Sequence, residues 1–336
     1  MSEMVVSTAY LSPGTAAAAP VARAKAIQRL QAGDTIFRLL TLFSAVLVLA
    51  LLGGVIVSLM VGAAPAFQAF GWRFLIEQSW NPVTERFGAI APIYGTVVTS
   101  VIAMLIAVPV GLAIAMFLSE LCPMWLRRPL GIAIELLAGI PSIIYGIWGL
   151  FVLAPILQTT VQPALIELFG PVPLLSALFA GPPYGIGTLT AGIILAVMVL
   201  PFITSISRDV FQTVPAVLKE AAYGLGATRW EVFRQVVMPY ARAGVIGACM
   251  LALGRALGET MAVTFVIGNA HRISASLLAP GTTISATIAN EFTEAVGDLY
   301  TASLIALGLL LFVFTFIVLA IARYLLMRLE QQEGRA

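Results

Sequence analysis

The sequence is short of charge, cysteine, histidine and lysine, and each shortage removes a class of function. Only 10% of its 336 residues are Asp, Glu, Lys or Arg, and 60% are hydrophobic. A soluble domain carries about a quarter charged residues. With a mean hydropathy of +1.01, the chain has more apolar surface than a soluble core can hide. Two cysteines, Cys122 and Cys249, cannot build a disulfide framework, and one lies inside an apolar run. A single histidine, His271, leaves no room for a histidine-rich metal cluster or a histidine-based triad. Lys25 and Lys219 are the only lysines, and neither follows a glycine. A phosphate-cradling loop that hydrolyses ATP, which needs Gly-Lys-Ser/Thr, is therefore excluded.

What the sequence has is length of apolar run. Hydrocarbon tolerates helices or closed barrels, because an unpaired backbone group is too costly there. The runs are continuous and do not alternate with period two, which selects helices. Six segments reach the roughly 20 residues needed to cross a bilayer. They are Ile36–Val61, Ile93–Leu118, Gly131–Ile156, Thr188–Ile206, Gly244–Gly268 and Thr301–Leu326. Pro109 and Pro141 interrupt the second and third, as kinks along a pathway do.

Orientation follows from the basic residues between spans. Fourteen fall on one face, among them Arg23, Lys25, Arg127, Arg128, Arg208, Lys219, Arg229, Arg234, Arg242, Arg323 and Arg328. Arg73, Arg86 and Arg272, three in all, fall on the other. Both termini are expected in the cytoplasm. Residues 1–33 read as a flexible N-terminal tail, residues 34–328 as the membrane domain, and 329–336 as a C-terminal tail. On the outer side, Phe67, Phe70, Trp72, Phe74 and Trp80 suit a membrane–water interface. Residues 157–187 carry the turn-forming Gly170, Pro171, Pro173 and Gly181–Gly185, and a last outer loop holds Glu291, Glu294 and Asp298.

The largest basic element, residues 207–243, contains a helical hairpin legible from local rules. Pro215 suits a first helical turn, where its missing N–H costs nothing. Gly224 and Gly226 offer the left-handed conformation that ends a helix. Thr228 and Glu231 are spaced as a capping box opening a second helix, which Pro239 is expected to stop. Glu220-Ala221-Ala222, then Gly226 and Val236-x-Met238-Pro239, resembles the EAA loop of bacterial ABC importer permeases. Val236 and Met238 replace the usual Ile and Leu. The resemblance implies that this loop docks on a separate ATPase subunit, with Glu220, Ala221, Ala222, Gly226 and Pro239 shaping the joint.

Arg255 and Glu259 lie inside the fifth apolar run, Arg255 about 16 Å from its start. A charge at that depth costs at least about 2.5–3.5 kcal/mol. On one helix the i, i+4 spacing places both on one face, where they partly neutralise each other. Two readings stand: a salt bridge stapling helices, or an anion-handling site in which the Arg fork meets phosphate oxygens. In the second reading Glu259 accepts a hydrogen bond from a protonated phosphate oxygen, which sulfate lacks at neutral pH. Ser142 and Tyr145, beside the Pro141 kink, either line the same path or pack in the core. Gly254-x-x-x-Gly258 allows close helix contact, within the chain or with a second one.

Arg255–Ala262, Leu137–Gly146, Gly268–Ser274 and Ile288–Phe292 resemble the matching segments of phosphate-specific ABC permeases. The resemblance covers residues 34 to 328, and in that family Arg255 and Glu259 match charged residues implicated in transport. It implies an all-α membrane protein with six transmembrane helices of the type I (MetI-like) importer fold, in the bacterial inner membrane. It further implies a second homologous permease, a dimeric ATPase that binds the ATP and magnesium, and an external phosphate-binding protein. No cofactor of the chain's own, no bound metal, no catalysis and no nucleic acid is expected. Competing readings are an ion-coupled secondary transporter or channel, and an ABC permease for sulfate or molybdate.

Overall fold

The computed structural model describes residues 18–333 of the chain, which divides after Ser58 into two units. Helix α1 (Ala18–Phe70) begins in the first. It starts inside the segment expected to be a tail, because residues 16–19 are all alanine and Pro20 falls in the first turn. The remainder of that tail, residues 1–17, and the last three residues of the C-terminal one lie outside the described residues. From Asp34 to Ser58 nearly every side chain is exposed, Phe37 by 67% and Leu49 by 68%. A helix apolar on every side belongs among lipid tails or other helices.

Among the described residues six helices are long and apolar enough to cross a membrane, in the order expected. They are Asp34–Leu75, α2 (Ile90–Leu121), α4 (Ser142–Phe169), α6 (Thr188–Gln212), α8 (Arg229–Leu257) and Asp298–Arg328 of α11 (Asp298–Glu333). Between them lie α3 (Met124–Ala138), α5 (Pro173–Leu178), α7 (Ala216–Gly224), α9 (Met261–Val266) and α10 (Ile284–Glu291). A small antiparallel hairpin pairs β1 (Trp80–Asn81) with β2 (Arg86–Phe87).

Helix α6 is the axis of the second unit. Its Ile194, Leu195, Met198, Val199 and Ile203 are buried among Ala103 and Ala107 of α2, Ala252 and Ala256 of α8, and Val263 and Val266 of α9. Small residues set the spacing. A Cβ on Gly192 would lie 2.5 Å from Ile102, so α2 and α6 approach as closely as they do only with glycine there.

Two expected spans change their bounds most. The third does not run from Gly131. Helix α3 stops at Ala138, Pro141 stands extended at φ −56 and ψ 136, and α4 starts afresh at Ser142. A proline cannot donate to the turn before it, and the residue preceding it is pushed out of the helical region. The fifth span begins earlier and ends sooner, at Leu257, with Gly258 as its cap. The outer loop after it holds a helix, α10, whose Ile284, Ser285, Ala286 and Thr287 are buried. Pro109, by contrast, is carried inside α2 without ending it.

The outer aromatic set is only partly a belt. Trp72 is 71% exposed, but Phe74 and Phe87 are buried. They sit in a cluster where Phe87 stacks on Tyr300 at 5.0 Å and Trp80 meets Phe87 edge-on at 5.0 Å. Glu291 knots this cluster, accepting hydrogen bonds from the Trp80 indole and from Tyr300 Oη at 2.7 Å on one carboxylate oxygen, while His271 Nε2 lies 3.3 Å from the other.

Candidate functional site

The helical hairpin between the fourth and fifth spans is built as its residues dictate. Helix α7 closes with Gly226 N–H donating to the Tyr223 carbonyl (2.9 Å) and Ala227 N–H to that of Ala222 (3.2 Å). This paired closure needs a left-handed residue, supplied by Gly226 at φ +88. Gly224 stays helical and is not used in that way. Thr228 then opens α8: its hydroxyl accepts from Glu231 N–H, and the Glu231 carboxylate accepts from Thr228 N–H at 2.7 Å. A Cβ on Gly226 would meet nothing within 4 Å, so its requirement is conformational, not steric. Glu220, Ala221 and Gly226 are exposed, beside Val217 at 72%, Leu225 at 90% and Trp230 at 57%. Exposed apolar side chains gathered on one tip mark a contact surface.

Pro239 does not stop the second helix of the hairpin. The chain passes through a widened turn, Phe233–Val237, in which Met238 N–H reaches back five residues to the Phe233 carbonyl. Pro239 follows that turn, in the first two positions of the renewed α-helical ladder. There its missing N–H is not called upon. The second arm of the hairpin and the fifth span are thus one continuous helix, Arg229–Leu257.

The hairpin is fastened to the helices beneath it. Phe211 of α6 meets Phe233 edge-on at 5.3 Å, and both are buried with Ala115 of α2, Val232 and Val237. Lys219 Nζ lies 2.6 Å from Glu120 at the end of α2. Any displacement of the tip is thereby imposed on α2, α6 and α8 together, since packed interiors deform little.

At the far end of α8, the two charged residues read as a one-face pair are separated by the helix break. Arg255 is in the last turn, where the negative end of the helix dipole favours a cation. Gly258 ends the helix, and Glu259 stands beyond it, its carboxylate accepting from Ala262 N–H (3.3 Å) at the start of α9. Among the described residues no carboxylate comes within ion-pair distance of Arg255, so the stapling salt bridge is not formed. One face of its guanidinium is instead covered by the Phe202 ring, 4.5 Å from the centroid. The group opens on a cleft of about 750 Å³ between α6, α8 and α11.

Tyr145 is buried and its hydroxyl donates to the Leu137 carbonyl at 2.8 Å, satisfying a group freed by the Pro141 break. It lies within electrostatic reach of Arg255. Ser142, half-buried, is the first residue of α4. Gly254 packs inside the chain, where a Cβ would come within 3.4 Å of Leu319 on α11, whereas Gly247 has open space beside it. Glu135 is held by Arg208 at 2.8 Å. The Lys219–Glu120 strut and the Phe202 shield escaped sequence reasoning. Phe202 gave no signal; Lys219, one of two lysines in the chain, gave one only in its rarity.

Six spans, a glycine-closed hairpin between the fourth and fifth, and an unpaired arginine at a broken helix end define an integral-membrane transport component. The chain belongs to the family of binding-protein-dependent transport system inner membrane components, which it matches over residues 107–331. It is 69% identical over 308 residues to the phosphate transport system permease protein PstC of Mesorhizobium japonicum, covering 92% of this chain and 94% of that one. The PstC of Pasteurella multocida is 56% identical, over 90% and 94% of the two chains. A probable phosphate permease PstC of Methanocaldococcus jannaschii is 40% identical, over 87% and 93%. Among solved structures, a bacterial alginate ABC transporter aligns at a TM-score of 0.57 and 17% identity, over 85% of this chain and 94% of that chain. The MetNI methionine ABC transporter aligns at 0.52 and 16%, over 71% and 94%. At such identities these two establish the fold, that of a MetI-like ABC permease.

Proposed function

We propose that this chain is a permease subunit that carries inorganic phosphate across the bacterial inner membrane in an ATP-driven importer. The identity of 69% to a phosphate permease over nearly the whole chain carries the cargo. The exposed, glycine-closed hairpin supports the coupling. Its Glu220, Ala221, Ala222 and Gly226 form the docking tip for a separate, dimeric ATPase, and Pro239 marks where that tip joins the fifth span. ATP and magnesium are bound by that partner, and the chain itself needs no cofactor and performs no covalent chemistry. A second, homologous permease completes the pathway, and an external phosphate-binding protein delivers the anion. The excess of basic residues on the hairpin side supports a cytoplasmic position for both termini.

Within the pathway Arg255 is the phosphate contact. Its guanidinium is free of carboxylates and shielded on one face, so its N–H edges are open to an oxyanion. Glu259, displaced from Arg255 by the helix break, is free to accept a hydrogen bond from a protonated phosphate oxygen, the feature that separates phosphate from sulfate. Ser142 and Tyr145 border the same region, Tyr145 chiefly as a strut.

The test is uptake of labelled phosphate at low external concentration, in cells lacking their own high-affinity system and carrying the partner subunits. The intact chain imports phosphate without interference from excess sulfate or molybdate, and Arg255→Ala fails despite normal membrane insertion. Competition by sulfate or molybdate would transfer the proposal to another oxyanion. Uptake that persists without the ATPase subunit would replace it with a secondary transporter.

A further inference from the structure

Counted by sequence position, Arg323 is one of many basic residues on the hairpin side, set about 38 Å along α11 from its start at Asp298. The structure gives it a second neighbourhood. It lines the same cleft as Arg255, together with Phe202, Gly254, Thr315 and Leu319. Leu319 faces Gly254, the neighbour of Arg255, and Arg323 follows Leu319 by one helical turn. Among the described residues no carboxylate lines the cleft and none comes within ion-pair distance of either guanidinium. The other named walls are methionine, leucine and glycine. Both arginines are exposed, and two like charges facing one apolar-walled cleft repel each other. An anion seated there relieves that repulsion, and Thr315 adds a hydroxyl donor to the two forks.

We propose that Arg323 is a second contact for the transported anion, forming with Arg255 a two-guanidinium cleft through which a tetrahedral oxyanion leaves the membrane. This rests on the phosphate-importer reading and adds a specificity residue to it. Free phosphate and a phospholipid headgroup share the chemistry the cleft selects; the assignment is to the free anion. Arg255 meets it deep in the membrane and Arg323 one turn along α11.

The experiment uses the complete importer, with its partner permease, ATPase and binding protein. It is reconstituted in vesicles of phosphatidylcholine alone and of phosphatidylcholine mixed with phosphatidylglycerol. Inorganic phosphate uptake is compared for the intact chain, Arg255→Ala, Arg323→Ala, Arg323→Gln and Arg323→Lys. Stimulation of ATP hydrolysis by phosphate-loaded binding protein serves as the measure of assembly. Arg323→Ala is expected to lower uptake at limiting phosphate about tenfold in both vesicles, the scale of one lost charge-assisted hydrogen bond. Arg323→Lys, which restores the charge, recovers most of it. Should Arg323→Ala not assemble, Arg323→Gln makes the same comparison with side-chain length kept. Uptake unchanged in the neutral variants overturns the proposal, as does a loss confined to vesicles containing phosphatidylglycerol, which assigns Arg323 to a lipid headgroup. An intact chain that imports no phosphate fails the importer reading instead, and is told apart because the loss then appears before any substitution.

Discussion

Lys219 Nζ sits 2.6 Å from Glu120 Oε1, and this one pair joins the hairpin helix α7 to the end of the second span, α2. Both side chains are largely shielded, at 19% and 10% exposure. The pair is the polar counterpart of the Phe211–Phe233 contact, and both lie where a docked partner would push.

Removing one charge of that pair leaves the other half-buried and unpaired. Glu120→Gln is expected to destabilise the joint by about 1–3 kcal/mol, less than for a fully buried pair. The check is a double-mutant cycle with Lys219→Met on thermal unfolding in detergent. A coupling energy above about 0.5 kcal/mol confirms the strut. Additive effects of the two substitutions would show that the pair contributes nothing.

At Gly226 the prediction separates conformation from space. Open surroundings mean that Gly226→Ala introduces no clash, only the left-handed penalty of about 1–2 kcal/mol. Gly226→Asn, which tolerates φ above zero, should cost less. Phosphate uptake in the complete importer should therefore fall in the order Gly, Asn, Ala. An alanine variant as active as the intact chain would mean that the turn is not what the docked hairpin needs.

Tyr145→Phe keeps the ring and removes the bond to the Leu137 carbonyl. Because Ile140 N–H also reaches that carbonyl, at 3.3 Å, the loss is expected to be about 0.5–1.5 kcal/mol of stability with uptake retained. Unfolding temperature and uptake measured on one preparation decide it. Stability unchanged with uptake abolished would move Tyr145 from strut to pathway.

His271 supplies a pH dependence. Burial pushes its pKa below the ordinary 6.5, and the nearby Glu291 carboxylate offsets this only in part. The lowered pKa favours the neutral imidazole in the folded protein, 3.3 Å from the Glu291 carboxylate. As pH falls through about 6.5 the unfolded chain takes up a proton that the folded chain refuses, and stability is lost. The unfolding temperature of the intact protein in detergent is expected to drop between pH 7.5 and 5.5, with a shallower fall for His271→Gln. Parallel slopes for the two would place the pH dependence on other groups.

The six spans and their order were legible because run length and charge asymmetry depend on composition alone. The hairpin was legible for a different reason: Thr228, Glu231 and Gly226 act within a few residues of themselves. The break at Gly258 was not, since the apolar run continues on both sides of it from Gly244 to Gly268 and Arg255 and Glu259 are spaced as a pair on one helix face. What ends α8 there is the return of the chain as α9 against α4 and α6. Pro239 misled for a related reason. A proline reads as a stop unless the turn before it widens, and nothing in Phe233–Val237 announces that it does. The helix α10 was missed because eight residues are too few for any period to show. The partnership of Arg255 with Phe202 joins two spans far apart in sequence, and no local rule reaches that distance.

The widened turn at Phe233–Val237 fixes an angle as well as a path. Every residue added to or taken from an α-helix rotates all that follows by about 100°. The hairpin tip and Arg255 stand near opposite ends of one unbroken helix, so their relative azimuth is set by the number of residues between them. A single deletion inside that turn would leave the membrane span hydrophobic, the tip intact and the caps in place, yet aim the guanidinium away from the Phe202 ring. Orientation across the whole thickness of the membrane is, in this molecule, a matter of counting.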